Sequence, residues 1–231
     1  MQTIGVLGAM PEEVDLIFQA LTDPREEEYG GVLYKTGTCH TLRVVAACAG
    51  MGKVNAASTT QVLITRYGVD AVLVSGVAGN MSAQLRVGDI VISSDLVYHD
   101  AEDRMLRQSA PGTAVYSATP TLIAAAGQAC TQVGARYLIG RIATGDQFIG
   151  DFATKKKIRE KTAPLCVDME GAAVAHVAMR NKIPFVVIRA ISDNAEESIE
   201  SLGAESFDVS AYTKTASAII LKSLQLLSAA E

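Results

Sequence analysis

Short apolar runs recur from one end of this chain to the other, each set off from the next by a segment of helical pattern. This alternation limits the fold more than any other feature. The runs at 4–7, 71–75, 90–93, 137–143, 165–167 and 185–191 carry few polar interruptions. Runs of that kind read as strands buried on both faces. Helices are predicted at 11–21, 54–67, 121–133, 154–161, 171–181 and 208–227. Pro11 suits the first position of its helix, where the missing N–H costs nothing. Strands alternating with helices imply an α/β fold with three layers, α/β/α, around a central, mostly parallel mixed sheet. Segments 32–38 and 41–47 read as a hairpin around Cys39 and His40. The polar stretch 23–31 reads as a loop, and 98–120 as an irregular surface excursion. The 231 residues suffice for one domain, 1–231, and no linker or repeat divides it.

Charge and cysteine usage then narrow the partners. A net charge of −5 argues against nucleic acid or an anionic membrane. No apolar stretch approaches the ~20 residues of a spanning helix. The start, Met1-Gln2-Thr3-Ile4-Gly5, has no basic flank and enters a strand directly, so no signal peptide is expected. Cys39, Cys48, Cys130 and Cys166 form no CxxC pair, and three of them lie in or beside apolar runs. Reduced, buried thiols in a cytoplasmic protein are expected, with disulfides the alternative reading. His40, His99 and His176 lack metal-ligand spacing, so no metal is expected.

The acids carry the strongest hint of chemistry. Glu170 follows Cys166-Val167-Asp168-Met169, and Asp193 follows Ile188-Arg189-Ala190-Ile191-Ser192. Each sits at or just past the end of an apolar run, at the sheet edge where ligands of open α/β folds bind. Carboxylates beside a core are costly without a role. Glu12 and Glu13 follow the first strand and face the same edge. Singly, each has a plainer reading. First-turn acids complement the helix dipole, Asp193 could cap a turn, and Arg189 could be an ordinary ion-pair partner. Their convergence on one edge favours a shared ligand.

Three glycine turns border that edge: Gly5 to Gly8, Gly50 to Lys53 and Gly76 to Gly79. Gly50-Met51-Gly52-Lys53 resembles the end of a phosphate loop. Ala47, however, occupies the earlier glycine position, and Val54 replaces the hydroxyl residue that would hold magnesium. The GxGxxG pattern of dinucleotide sites is absent too, so no cofactor is expected. Glycine turns of this kind let backbone approach a ligand closely. No Arg is expected beside them, and Glu12 and Glu13 would repel a phosphate. Phe148, in the loop 145–150 of an aromatic-poor chain, is either a platform for a planar base or a residue folded back on the core.

Together, the segments 4–14, 50–54, 87–91, 98–101, 145–149, 169–170 and 185–193 closely resemble the bacterial 5′-methylthioadenosine/S-adenosylhomocysteine nucleosidases, within the nucleoside phosphorylase superfamily. The resemblance runs through nearly the whole chain in order. It implies a nucleoside phosphorylase-like fold and hydrolysis of an N-glycosidic bond, without cofactor, in methionine salvage. It implies that Asp193 protonates the departing adenine and that Glu13 activates water with Arg189 nearby. Glu170 would bind the ribose hydroxyls, with Met169 against the sugar. Phe148 would stack on adenine, and the Ile149 backbone would read the purine edge. Met10, Met51 and Phe207 would line the pocket for the 5′ substituent. It further implies a homodimer, with part of the 98–110 excursion reaching the partner's site. Val77 stands where many relatives carry Ser, which bears on substrate preference. The rival readings are a phosphorylase, an aminodeoxyfutalosine-type nucleosidase and a non-catalytic nucleoside-binding protein.

Overall fold

A computed structural model describes residues 2–196 and 209–229. The elements are β1 (Thr3–Gly8), α1 (Pro11–Ala20), β2 (Thr22–Tyr29), β3 (Val32–Cys39), β4 (Leu42–Cys48), α2 (Lys53–Thr65), β5 (Ala71–Asn80), β6 (Ile90–Tyr98) and α3 (Asp103–Arg107), then β7 (Tyr116–Ser117), α4 (Pro120–Val133), β8 (Tyr137–Thr144), α5 (Phe152–Thr162), β9 (Cys166–Asp168), α6 (Gly171–Arg180), β10 (Phe185–Asp193) and α7 (Ser210–Ala229). Among the described residues the strands form one mixed sheet in the order β10-β6-β8-β9-β5-β1-β4-β3-β2, with β7 on β6. β10 also pairs with β5, so β10, β6, β8, β9 and β5 close on themselves as a small barrel. Strands β1, β4, β3 and β2 extend from its side. Local pattern does not announce this closure, because it depends on which distant strands meet.

β10 shows why a continuous apolar run is needed here. All of its residues are buried. Phe185, Val187 and Ile191 join one apolar cluster, which takes in Ala56 and Leu63 of α2 and Val174 of α6. Val186, Ile188 and Ala190 join another, with Ile17 of α1, Leu122 of α4 and Ile219 of α7. The strand alternates sides while both sides stay covered, which is the three-layer arrangement. All four cysteines are free; Cys39, Cys130 and Cys166 are buried and Cys48 is partly so. Among the described residues no helix is long and apolar enough to cross a membrane.

Two expectations fail locally. The 23–31 stretch is not loop; most of it is β2, paired antiparallel with β3. β2 is the last strand of the sheet and almost wholly exposed, so it carries no apolar alternation to betray it. Two of the glycine turns are strand instead: Gly5 to Gly8 lies within β1, and Gly76 to Gly79 is part of β5, paired with β10 as far as Asp193 opposite Gly79. The 98–120 excursion contains α3 and β7, anchored by the buried Leu106 and Tyr116.

Candidate active site

The site arises where β1 stops and β5 continues. β1 pairs with β5 only as far as Leu7 opposite Val74. The chain then turns through Ala9 and Met10 into α1. Beyond that point the flank of β5 is open, and Glu13 fills it. Its Oε1 accepts from the Val77 N–H at 3.1 Å. Its Oε2 accepts from the N–H groups of Ala9 at 2.6 Å and Met10 at 3.0 Å. Glu13 is 2% exposed, whereas Glu12 beside it faces solvent. Of the two first-turn acids, only Glu13 therefore belongs to the site. Burial raises the Glu13 pKa; Arg189 and the three N–H donors oppose that rise without cancelling it.

Asp193 comes from the end of β10. The β10–β5 register shifts between Ile191 and Asp193, and a bulge of this kind re-aims a side chain at a strand end. Asp193 Oδ2 accepts from Ser192 Oγ at 2.8 Å, and Oδ1 accepts from the Ala195 N–H at 2.7 Å. Ala195 has a φ of 53°, a left-handed conformation uncommon for a residue with a Cβ.

Glu170 occupies the N-cap position of α6, just past β9, but its carboxylate is turned away from the helix's own N–H groups. Its Oε1 accepts from the Gly52 N–H at 2.9 Å, which joins it to the start of α2. Its Oε2 accepts from Arg189 Nη2 at 3.3 Å. The same guanidinium donates from Nε to Asp168 Oδ2 at 2.8 Å. Asp168 also accepts from the Thr144 hydroxyl at 2.5 Å and from the Gly171 N–H. Arg189 is 1% exposed. Burial works against its charge, but Asp168, Glu170 and Glu13 outweigh that and raise its pKa. Gly76 has to be glycine, because a Cβ there would lie 1.8 Å from Arg189 Nη1 and 2.7 Å from Glu13 Oε1.

These side chains surround one cavity of about 300 Å³. Its lining includes Glu13, Glu170 and Asp193 together with Met10, Met51, Val77, Phe148, Ile149 and Met169. Arg189 lies behind this wall rather than in it. Phe207 lies outside the described residues. The expectation that no Arg sits beside the glycine turns is wrong: Arg189 reaches Gly76 from β10, the neighbouring strand. Its charge is nevertheless matched by carboxylates, and among the described residues no Lys or Arg lines the cavity. Sequence reasoning missed Asp168 as part of the site. Its place at the end of β9, two residues before Glu170, was the available signal. It also missed Gln147 and Ser192, which line the cavity beside recognised residues.

Burial pushes the Glu170 carboxyl up from 4.5 to about 7; Arg189 opposes the rise and Asp168 adds to it. A raised acid binds its proton more readily in the folded chain than in the unfolded one. Its contribution to stability is therefore complete below pH 4.5 and disappears as pH rises through about 7. Relative to a Glu170→Gln variant, the wild-type chain is expected to lose thermal stability between those values. Parallel melting curves across that range check this, and a difference between the two proteins that does not change with pH would contradict it.

The Phosphorylase superfamily model matches residues 3–226. The 5′-methylthioadenosine/S-adenosylhomocysteine nucleosidase of Bacillus velezensis is 39% identical over 198 residues, covering 83% of this chain and 86% of that protein. The crystal structure of such a nucleosidase from Colwellia psychrerythraea, in complex with adenine, aligns with a TM-score of 0.90 and 34% identity over 98% of this chain and 96% of that one. Futalosine hydrolase of Helicobacter pylori aligns with a TM-score of 0.88 and 30% identity, over 97% of this chain and 98% of that one. By sequence and by fold, then, this chain belongs to the phosphorylase superfamily, within its 5′-methylthioadenosine/S-adenosylhomocysteine nucleosidase family.

Proposed function

We propose that this chain hydrolyses the N-glycosidic bond of 5′-methylthioadenosine and S-adenosylhomocysteine, releasing adenine and the corresponding thioribose. The observation that carries this reading is one cavity lined by Glu13, Glu170 and Asp193 and, among the described residues, by no cation. Breaking the bond between C1′ and N9 leaves electron deficiency on the sugar and an electron pair on the purine. Asp193 supplies a proton to N7, so adenine departs neutral. Glu170 accepts from the ribose hydroxyls, and its negative charge favours the oxocarbenium-like sugar, as carboxylates do in glycosidases. Water attacks C1′ and gives a proton to Glu13. The raised pKa of Glu13 brings its basicity closer to working pH, where a general base is most effective.

Arg189 supports this arrangement from behind, holding Asp168 and Glu170 in place. Phe148 flanks the base, the Ile149 backbone meets its edge, and Met169 packs on the sugar. Met10 and Met51 surround the 5′ substituent, and Val77 contributes an apolar wall where a hydroxyl is common in the family. We further propose a homodimer acting in the cytoplasm in methionine salvage. The family resemblance supports that part, and light scattering of the purified protein tests the dimer.

Phosphorolysis needs an anion site, built from Arg side chains or backbone donors. Here the donors at the first turn serve Glu13, and the nearby Arg189 serves Asp168 and Glu170. Purified protein should therefore release adenine from both nucleosides in phosphate-free buffer, with no gain when phosphate is added. A requirement for phosphate would overturn hydrolysis. Base release only from an aminodeoxyfutalosine-type nucleoside would reassign the substrate. Phe148→Ala removes the stacking surface and is expected to raise KM about tenfold, since base–aromatic stacking contributes about 1–3 kcal/mol. An unchanged KM would remove Phe148 from the base site.

A further inference from the structure

Lys53 belongs to the phosphate-loop-like motif, yet its ammonium does not point toward a substrate anion. Nζ lies 2.6 Å from Asp100 Oδ2 and 3.4 Å from Asp146 Oδ2. The Lys53 backbone N–H donates to Asp146 Oδ1 at 2.8 Å, and the Asp146 N–H donates to Asp100 Oδ2 at 3.0 Å. Nζ also sits 5.5 Å from the centre of the Tyr98 ring. These contacts form a closed ring joining the start of α2, the residues after β6 and the loop after β8.

Each end of the ring adjoins a different wall of the cavity. Gly52, immediately before Lys53, donates its N–H to Glu170. Asp146 immediately precedes Gln147, Phe148 and Ile149, all of which line the cavity. The backbone is built for this approach. Gly52 has a φ of 94°, and a Cβ there would lie 3.2 Å from Asp146 Oδ1. An exposed ion pair ordinarily does little. This one differs, because the side chains of Lys53 and Asp100 are each only 23% exposed and one ammonium answers two carboxylates.

We propose that Lys53 is a positioning residue that fixes the sugar-binding wall, through Gly52 and Glu170, against the base-binding loop carrying Phe148. This rests on the nucleosidase reading of the cavity. The clamp touches neither Asp193 nor Glu13 and reaches the chemistry only through Glu170, so its loss weakens how the substrate is held more than it slows the breaking of the bond. Removing the ammonium frees Asp100 and Asp146 to repel one another and lets the two walls drift apart.

The test compares Lys53→Met, Lys53→Arg and Asp146→Asn with the wild-type chain. Lys53→Met is expected to raise KM for methylthioadenosine and the Kd for adenine about tenfold, with kcat held within about threefold. Lys53→Arg should recover part of the loss, since it keeps the charge. Asp146→Asn should move both constants in the same direction as Lys53→Met. It changes a half-exposed side chain, so it decides the matter if Lys53→Met does not fold. Constants that stay within about twofold of wild type in the folded variants would overturn the proposal. So would a fall in apparent kcat at constant KM, the mark of a smaller folded fraction. A wild-type chain that releases no adenine would instead fail the nucleosidase reading, and adenine calorimetry would then judge the clamp alone.

Discussion

Replacing Asp193 with Asn is expected to cut adenine release by about 10²–10⁴-fold, the usual contribution of a positioned acid, while the protein stays folded. The variant removes the transferable proton and little else. Asp193 receives one hydrogen bond from the Ala195 N–H and one from the Ser192 hydroxyl. An asparagine can keep its oxygen toward Ala195 and turn its amide toward Ser192, whose hydroxyl can also accept. Neither neighbour is left unpaired, so the melting midpoint should hold. Because the acid acts only as the bond breaks, kcat should fall far more than KM rises. Turnover close to wild type in a folded Asp193→Asn protein would remove Asp193 as the proton donor.

The second large effect concerns stability. Arg189→Met leaves Asp168 and Glu170 buried without their shared cation. Breaking a buried ion pair by removing one partner costs about 3–5 kcal/mol, because the remaining charge stays uncompensated. In a chain of this length each kcal/mol moves the midpoint by about 2–4 °C, so a fall of roughly 6–20 °C is expected. Adding Asp168→Asn to that variant should restore part of the loss, since it removes one of the stranded charges. Circular dichroism follows both, as the chain has no Trp to report by fluorescence. A single variant melting at the wild-type temperature would show that Arg189 does not balance these carboxylates.

The layers were legible in the sequence because they depend on local pattern. The continuous apolar run of β10 and the Pro11 start of α1 each carry their own signal. So did the three acids, since a carboxylate next to an apolar run stands out. β2 was not legible because its side chains are exposed, and pairing with β3 alone makes it a strand. Asp168 and the place of Arg189 were hidden for another reason. Asp168 looks like one more polar residue at a strand end until β10 is laid beside β5 and brings Arg189 to Gly76. Glu12 and Glu13 differ only in which way each points around the helix. Residue pattern alone cannot tell the adjacent acids apart until Val77 is known to offer an open N–H, although the family resemblance singles out Glu13.

Two threads of chain far apart in sequence hold Glu13, the residue proposed to activate water. Glu13 lies near one end, while Arg189 and Ser217, whose hydroxyl donates to the Glu13 carbonyl at 2.8 Å, lie near the other. Contacts of such long sequence separation form only after distant segments have found one another. On the ribosome, β1 and α1 emerge early and wait for β10 and α7. A nascent or truncated polypeptide therefore displays Glu13 without its supports. A polypeptide cut before β10 lacks both Arg189 and the Ser217 hydroxyl, and leaves the Glu13 carboxylate and carbonyl without those partners.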